Sequence, residues 1–203
     1  MESIHKEAKY RGSGKVVDME CYHDLRRGCS GARICFALFE PVLGIDLPDE
    51  VVDHPAFKEI SVIGLDLYIW CNVSPLSSTT SSALIVLFHQ DLYSFNMEQS
   101  RGIDAVNIIT ILMKHEGYTL QQAADHIGET FAGLVQRLVQ ARQNFPRFGQ
   151  EIDRAVSKYI EAIGILIIGF IDWSFKSERY FGEMVEEAKK TRVVKLFPRR
   201  SEL

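Results

Sequence analysis

Cysteine is scarce in this sequence, and the spacing of the cysteines argues against both a metal-stabilised domain and a disulfide-stabilised domain. Only 4 of the 203 residues are cysteine, and Cys21, Cys29, Cys35 and Cys71 show neither metal-ligand spacing nor the spacing of a disulfide framework. A secretory signal pattern is also missing from the first residues. We therefore expect reduced thiols in an intracellular, cytoplasmic protein.

Excess positive charge and long apolar runs are missing as well. Lysine and arginine total 23 against 27 acidic residues, which gives a net charge of −4 and argues against nucleic acid as a partner. The most apolar run, residues 162–171, is too short to span a bilayer, so no membrane span is expected. Gly14-Lys15 lacks the second glycine and the hydroxyl residue of a phosphate-binding loop.

The sequence instead contains globular composition and helical periodicity. Hydrophobic residues make up 46% and charged residues 25%, as in ordinary folded domains. Strand alternation is scarce, whereas apolar residues recur at steps of three and four. We predict an all-α fold with long helices suited to a large bundle. The predicted helices cover part of 1–14, about 16–44 with a break at 28–31, 54–71 capped by Asp53, and, after position 91, about 103–115, 120–144, 150–175 and 177–189.

One short segment contains the residue types of a cation site. Ser94 and Glu98 are four positions apart, so a helix places them on one face. A hydroxyl and a carboxylate can both bind a hard cation such as Mg²⁺. A third oxygen ligand is expected one turn earlier, where the chain has Gln90. Taken alone, the pair equally fits an ordinary polar helix face.

Three ordered segments resemble one family. Residues 91–102, Asp-Leu-Tyr-Ser-Phe-Asn-Met-Glu-Gln-Ser-Arg-Gly, resemble the Asn-Asp-Leu-x-Ser-x-x-x-Glu magnesium motif of class I terpene synthases, especially the sesquiterpene synthases of mushroom-forming fungi. Residues 22–31 resemble the family's Leu-Arg-Arg-x-Thr-Ser-Gly segment, and residues 173–182 resemble its closing Arg-Tyr segment. The resemblance implies that residues 16–203 are the C-terminal part of a single α-domain, a partial class I terpenoid synthase bundle.

The resemblance also implies roles for individual residues. Arg26 is preferred over Arg27 as the diphosphate-sensing arginine because it lies 46 positions before Asn72, in keeping with the family's spacing. Trp70, Phe36, Phe39 and Tyr68 are candidates to shield a carbocation, with core packing as the alternative. The implied Mg²⁺ ligands are Asn72, Ser94 and Glu98, and the implied diphosphate-binding residues are Arg26, Arg101, Arg179 and Tyr180. Arg101 is included because Met97 stands where relatives often carry a basic residue.

The match departs from the family in two places. Residues 73–90 interrupt the magnesium motif between Asn72 and Asp91, and we interpret them as a translated, unspliced intron, with a genuine loop insertion as the alternative. The family's upstream aspartate-rich motif is expected to be missing by truncation. Asp49-Glu50-Val-Val-Asp53 has the same spelling but follows Arg26, so we interpret it as carboxylates at a helix start.

The resemblance implies a Mg²⁺-dependent enzyme that ionises and cyclises farnesyl diphosphate, a small-molecule prenyl diphosphate. The first alternative is an inactive, truncated synthase that lacks the aspartate-rich motif. The second is a helical interaction module without a small-molecule role, supported only by the all-α texture. The chain as written is expected to have little or no activity.

Overall fold

All regular elements in the described part of the chain are helical, as predicted. The computed structural model describes residues 2–70, 90–177, 180, 182–191, 194 and 196–199, with the backbone alone at 90–93, 189 and 191. The helices are α1 Glu2–Ser13, α2 Met19–Cys29, α3 Ala32–Ala37, α4 Phe39–Leu43, α5 Asp49–Val52, α6 Pro55–Ile69, α7 Gln90–Arg101, α8 Ile108–His115, α9 Leu120–Gln143, α10 Gln150–Lys176 and α11 Val185–Thr191. Two 3₁₀ turns, Asp104–Val106 and Gly182–Met184, precede α8 and α11.

The core lies between α6 and the two long helices α9 and α10. Eight residues of α6 are buried, so this helix is covered on more than one side and packs against both α9 and α10. Gly64 allows the close approach, because a Cβ there would lie 3.0 Å from two side-chain carbons of Ile163 and 3.1 Å from a ring carbon of Phe36. The interior is therefore centred on the helix that leads into the predicted metal motif.

The local signals for helix ends were partly right. Thr119 begins α9 with a reciprocal capping box to Gln122, as predicted. The prediction that Asp53 caps α6 is wrong, because Asp53 ends α5 in the right-handed helical region. His54 is the cap instead: its backbone is extended, and its Nδ1 accepts the Ala56 N–H at 3.1 Å.

Two further boundaries follow from backbone geometry. The predicted break after α2 is confirmed, since α3 begins only at Ala32. Gly31, the N-cap of α3, has φ of +78°, a conformation that residues with a Cβ rarely adopt. The helix expected from about residue 103 begins later, at Ile108, because Asp104–Val106 forms the 3₁₀ turn. Asn107 then caps α8 through its Oδ1, which accepts the Ile109 N–H at 3.0 Å.

Across the portion of the chain that the structure describes, we find no helix with both the length and the apolar character needed to cross a membrane.

Candidate functional site

Helix α7 carries the described part of the predicted metal motif. It packs against α8 and the 3₁₀ turn Asp104–Val106. Ser94 and Glu98, one turn apart, are both only 7% exposed. Their oxygens are of the type that hard divalent cations bind. The structure therefore places both donors in an interior position rather than on a solvated polar face.

The Glu98 carboxylate is held from two sides. Arg11 of α1 lies with its Nη1 3.1 Å from Oε1, and the Nδ2 of Asn107 donates to Oε2 at 3.0 Å. Asn107 itself is fully buried. Because a charge-assisted bond and an amide bond act on different oxygens, the plane of the carboxylate is fixed.

Arg26, the predicted diphosphate sensor, is buried on α2 and also faces α1. Its Nη1 lies 3.8 Å from Oε1 of Glu7. Arg27 makes a different contact: its Nε and Nη2 each donate to one oxygen of Asp66 at 2.7 Å. That bond raises the pKa of Arg27 and joins α2 to α6. The two neighbouring arginines thus have separate surroundings, and Arg26 is the one directed toward the α1 contact.

The contact between α1 and α2 is partly shielded from water around Cys29. Cys29 lies there, and burial raises the pKa of its thiol to about 12, with the hydrogen bond to Glu7 as the second cause. Both effects disfavour a thiolate, because it would lack water and stand beside a carboxylate. Charges in this part of the molecule therefore interact more strongly than exposed charges do.

The other predicted site residues are distributed differently. Arg101 is exposed at the end of α7. Tyr180 is 5% exposed and belongs to a small apolar cluster with Ala188, where its ring meets Trp173 edge-on at 6.1 Å. Asn72, Arg179 and residues 73–89 of the proposed insertion lie outside the described residues, and position 90 begins α7.

The aromatic candidates pack in the core. Phe36 stacks on Phe39 at 5.2 Å, and both rings meet Tyr159. Tyr68 packs against Phe170 at 5.1 Å, and Trp70 is 2% exposed. These contacts favour the core-packing alternative for all four candidates.

The Asp49-Glu50-Val-Val-Asp53 segment lies on the surface. All three acidic residues are exposed, and the first two open α5. Asp53 forms an ion pair with Lys58 at 2.8 Å. This placement agrees with our interpretation of the segment as carboxylates at a helix start.

Sequence reasoning missed several polar residues around α7. Arg11 and Asn107 gave no signal of contact with Glu98, although Asn before two isoleucines is a recognisable helix cap. Asn96 and Gln99, both buried, bind the backbone of Phe197: Asn96 Oδ1 accepts its N–H at 2.5 Å, and Gln99 donates to its carbonyl at 2.7 Å. A C-terminal segment is therefore fastened to the helix that carries Ser94 and Glu98.

The described donors fit a hard divalent cation, as one part of a site. Ser94 and Glu98 supply a hydroxyl and a carboxylate with a fixed plane, which suits Mg²⁺ better than a soft metal. Within the described ranges, no cluster of three or more His, Cys, Asp or Glu residues has a metal-binding arrangement. The predicted third ligand, Asn72, lies outside the described residues.

Solved structures of similar fold share the helical architecture. The linalool/nerolidol synthase of Streptomyces clavuligerus matches with a TM-score of 0.68 at 19% identity, over 85% of this chain and 53% of that one. An α-eudesmol synthase matches equally well, with a TM-score of 0.68 at 19% identity, over 86% of this chain and 52% of that one. At such low identity these matches establish the fold, which is the all-α class I terpene synthase fold.

Sequence comparison identifies fungal relatives. Alpha-muurolene synthase of Coprinopsis cinerea is 38% identical over 195 residues, which cover 96% of this chain and 41% of the relative. Sesquiterpene synthase Agr3 of Cyclocybe aegerita is 38% identical over 197 residues, which cover 97% of this chain and 50% of the relative. The chain thus spans about half the length of these relatives or less.

A family model matches the part of the chain that contains the predicted metal motif. The sequence model described as terpene synthase family 2, C-terminal metal binding, matches residues 1–137. This range contains α1 through most of α9, and therefore the buried Ser94–Glu98 face together with Arg11, Arg26 and Asn107. The chain belongs to terpene synthase family 2 and carries the C-terminal metal-binding region of that family.

Proposed function

We propose that the protein is a sesquiterpene synthase that ionises farnesyl diphosphate with the help of Mg²⁺ and cyclises the resulting cation. Residues 16–203 supply the C-terminal part of its α-domain in this proposal. The observation that carries it is the burial of Ser94 and Glu98 on one face of α7, within a charge network that reaches Arg26. The 38% identity to fungal sesquiterpene synthases supports the class of substrate.

Glu98 and Ser94, with Asn72, are the proposed Mg²⁺ ligands. When bound, Mg²⁺ supplies positive charge to stabilise a departing diphosphate. Arg26, Arg101, Arg179 and Tyr180 are the proposed diphosphate-binding residues. An arginine suits this task because its planar fork pairs with phosphate oxygens and stays charged. The low exposure of Arg26 means that it meets a diphosphate with little competition from water, which strengthens the attraction.

A second candidate is a chain that binds the substrate without turning it over. Two observations favour it: the chain spans 41% and 50% of the two relatives, and the three acidic residues of its Asp49-Glu50-x-x-Asp53 sequence are exposed at the start and end of α5. Both candidates share the metal and diphosphate contacts and differ in product formation.

Incubation with farnesyl diphosphate tests both candidates. We expect the 203-residue chain to bind farnesyl diphosphate in a Mg²⁺-dependent manner in calorimetry. Little volatile product by gas chromatography, which we expect for the chain as written, would favour the second candidate for this chain, and substantial product would favour the first. Chelation of Mg²⁺ or Glu98→Ala should abolish binding, and the exposed Asp53→Ala control should not. Binding that ignores both chelation and Glu98→Ala would contradict the proposal.

The insertion is tested by deleting residues 73–90. The deletion joins Asn72 to Asp91 and continues α7 backward by one turn, which would place Asn72 on the face of Ser94 and Glu98. We expect tighter Mg²⁺-dependent binding than in the parent chain. Transcript reads across the junction give an independent check, because a spliced majority supports an intron and uniform coverage supports a genuine loop.

A further inference from the structure

Helix α1 contains an ion pair between Glu7 and Arg11, and each of the two residues also contacts another helix. Glu7 and Arg11 are one turn apart, and Nε of Arg11 donates to Oε1 of Glu7 at 2.9 Å. The Nη1 of the same guanidinium donates to the Ile103 carbonyl at 2.8 Å and lies 3.1 Å from Oε1 of Glu98. A planar guanidinium with three partners on two sides has little freedom to turn. Arg11 therefore presents a fixed positive charge to the α7 carboxylate.

Asn107 fixes the other oxygen of the same carboxylate. Its Oδ1 caps α8 by accepting the Ile109 N–H at 3.0 Å, so its Nδ2 must point the opposite way. That nitrogen donates to Oε2 of Glu98 at 3.0 Å. Because the residue has no exposed surface, water cannot take over either bond at low cost. The cap of α8 thereby determines the direction of a donor to Glu98.

We propose that Arg11 and Asn107 are positioning residues for Glu98, which hold its carboxylate in the orientation that a divalent cation requires. The inference deepens the proposed function and rests on it. Mg²⁺ demands near-ideal ligand geometry, and groups that hydrogen-bond a ligating carboxylate typically contribute 10- to 100-fold in metal affinity.

The same network extends toward the proposed diphosphate sensor. Glu7, which pairs with Arg11, lies 3.8 Å from Nη1 of Arg26. The charges alternate along the series Glu98, Arg11, Glu7 and Arg26. Each charge in this series has a neighbour of opposite sign, which offsets part of the cost of removing it from water. Glu7 thus lies between the two arginines and offsets the repulsion between Arg11 and Arg26.

The test measures Mn²⁺ binding to the 203-residue chain by electron paramagnetic resonance. Arg11→Met removes the guanidinium, and Asn107→Ser keeps a helix cap but is too short to reach Glu98. We expect each to weaken Mn²⁺ binding by about tenfold or more, and Arg11→Lys to recover part of the loss. Arg142→Met, which breaks the exposed pair with Glu161, is the matched control and should bind Mn²⁺ like the parent chain.

Glu98→Gln separates this inference from the proposed function. If Glu98→Gln loses Mn²⁺ while Arg11→Met and Asn107→Ser bind like the parent chain, the positioning inference is overturned and the metal site stands. If variants of Arg11 bind more tightly, the guanidinium competes with the metal, and the inference is again overturned. If Glu98→Gln and the parent chain bind alike, the proposed metal site fails.

A double-mutant cycle on unfolding tests the contact without any metal. Arg11→Met and Glu98→Gln should each lower the unfolding midpoint, and the double variant should be no less stable than the worse single variant. Simple additivity of the two shifts would overturn the contact on which the inference depends, whether or not Mn²⁺ binds.

Discussion

Two groups of carboxylates in this chain have metal-motif spelling, and their surroundings differ sharply. Asp53, in the Asp-Glu-x-x-Asp sequence, has a side chain that is 76% exposed and pairs with Lys58, whose side chain is 59% exposed. Glu98 has a side chain that is 10% exposed and is held by Arg11 and Asn107. An exposed carboxylate is already satisfied by water, whereas a buried one depends on the groups that the fold provides. The sequence motif identifies the acidic residues in both places. What distinguishes the candidate site from the helix start is that its carboxylate is buried and hydrogen-bonded by fixed donors.

The largest expected effect is the loss of the buried carboxylate. Glu98→Ala leaves the Arg11 guanidinium and the Asn107 amide without this acceptor, and we expect a loss of about 3 kcal/mol in the free energy of unfolding. Urea titration followed by circular dichroism measures it. A loss below 1 kcal/mol would show that Glu98 is no more dependent on its neighbours than Asp53 is.

Asp66 sharpens the comparison, because it is buried but faces a different partner. Asp66→Asn weakens the two-pronged bond to Arg27 at 2.7 Å, and we expect a loss of about 2 kcal/mol in unfolding free energy. Mn²⁺ affinity should stay within twofold of the parent value. A large fall in Mn²⁺ affinity with this variant would mean that burial alone, rather than the Arg11 and Asn107 contacts, determines metal binding.

The Cys29 thiol reports on the charge of the α1–α2 contact. Burial and Glu7 raise its pKa to about 12, so alkylation should be slow until strongly alkaline pH. Glu7→Gln removes the negative charge and should lower that pKa, which moves the rise in alkylation rate to lower pH. The pH dependence is measured with iodoacetamide in a chain whose other cysteines are serine. An unchanged profile would show that burial acts alone.

The smallest effect is expected at the exposed acid. Asp53→Ala breaks the solvated pair with Lys58 and should change the free energy of unfolding by less than about 0.5 kcal/mol. The same urea titration measures it, with Lys58→Ala as the matched variant on the other side of the pair. A loss comparable to that of Glu98→Ala would remove the distinction between the two carboxylate groups.

Much of the fold could be predicted from local sequence. Apolar periodicity and the Thr119 capping box located α9 closely, since both depend on residues within a few positions of each other. The cap of α6 was misplaced because His and Asp can both accept the first N–H, and only the end of α5 at Asp53 decides between them. The late start of α8 depends on the 3₁₀ turn, which has no strong sequence pattern.

The candidate site likewise has a part that could be predicted from local sequence and a part that could not. The four-residue spacing of Ser94 and Glu98 determined that they share a helix face, because helical geometry is local. The contacts from Arg11 and Asn107 were not predictable, since Arg11 is 87 positions from Glu98 in the sequence and α1 carries no apolar pattern that would indicate its packing partner.

The sequence by itself determined that this chain is all-α, and its motifs pointed to the family it belongs to. The helical content follows from apolar periodicity, which depends on residues a few positions apart, and the family follows from three ordered segments that resemble it. The tertiary structure alone decided that Glu98 is buried beside Arg11, whereas Asp53 remains in water. Packing brings distant residues together and removes solvent, and solvent removal is what turns an ordinary acid into a group with a fixed orientation and a strong dependence on its neighbours.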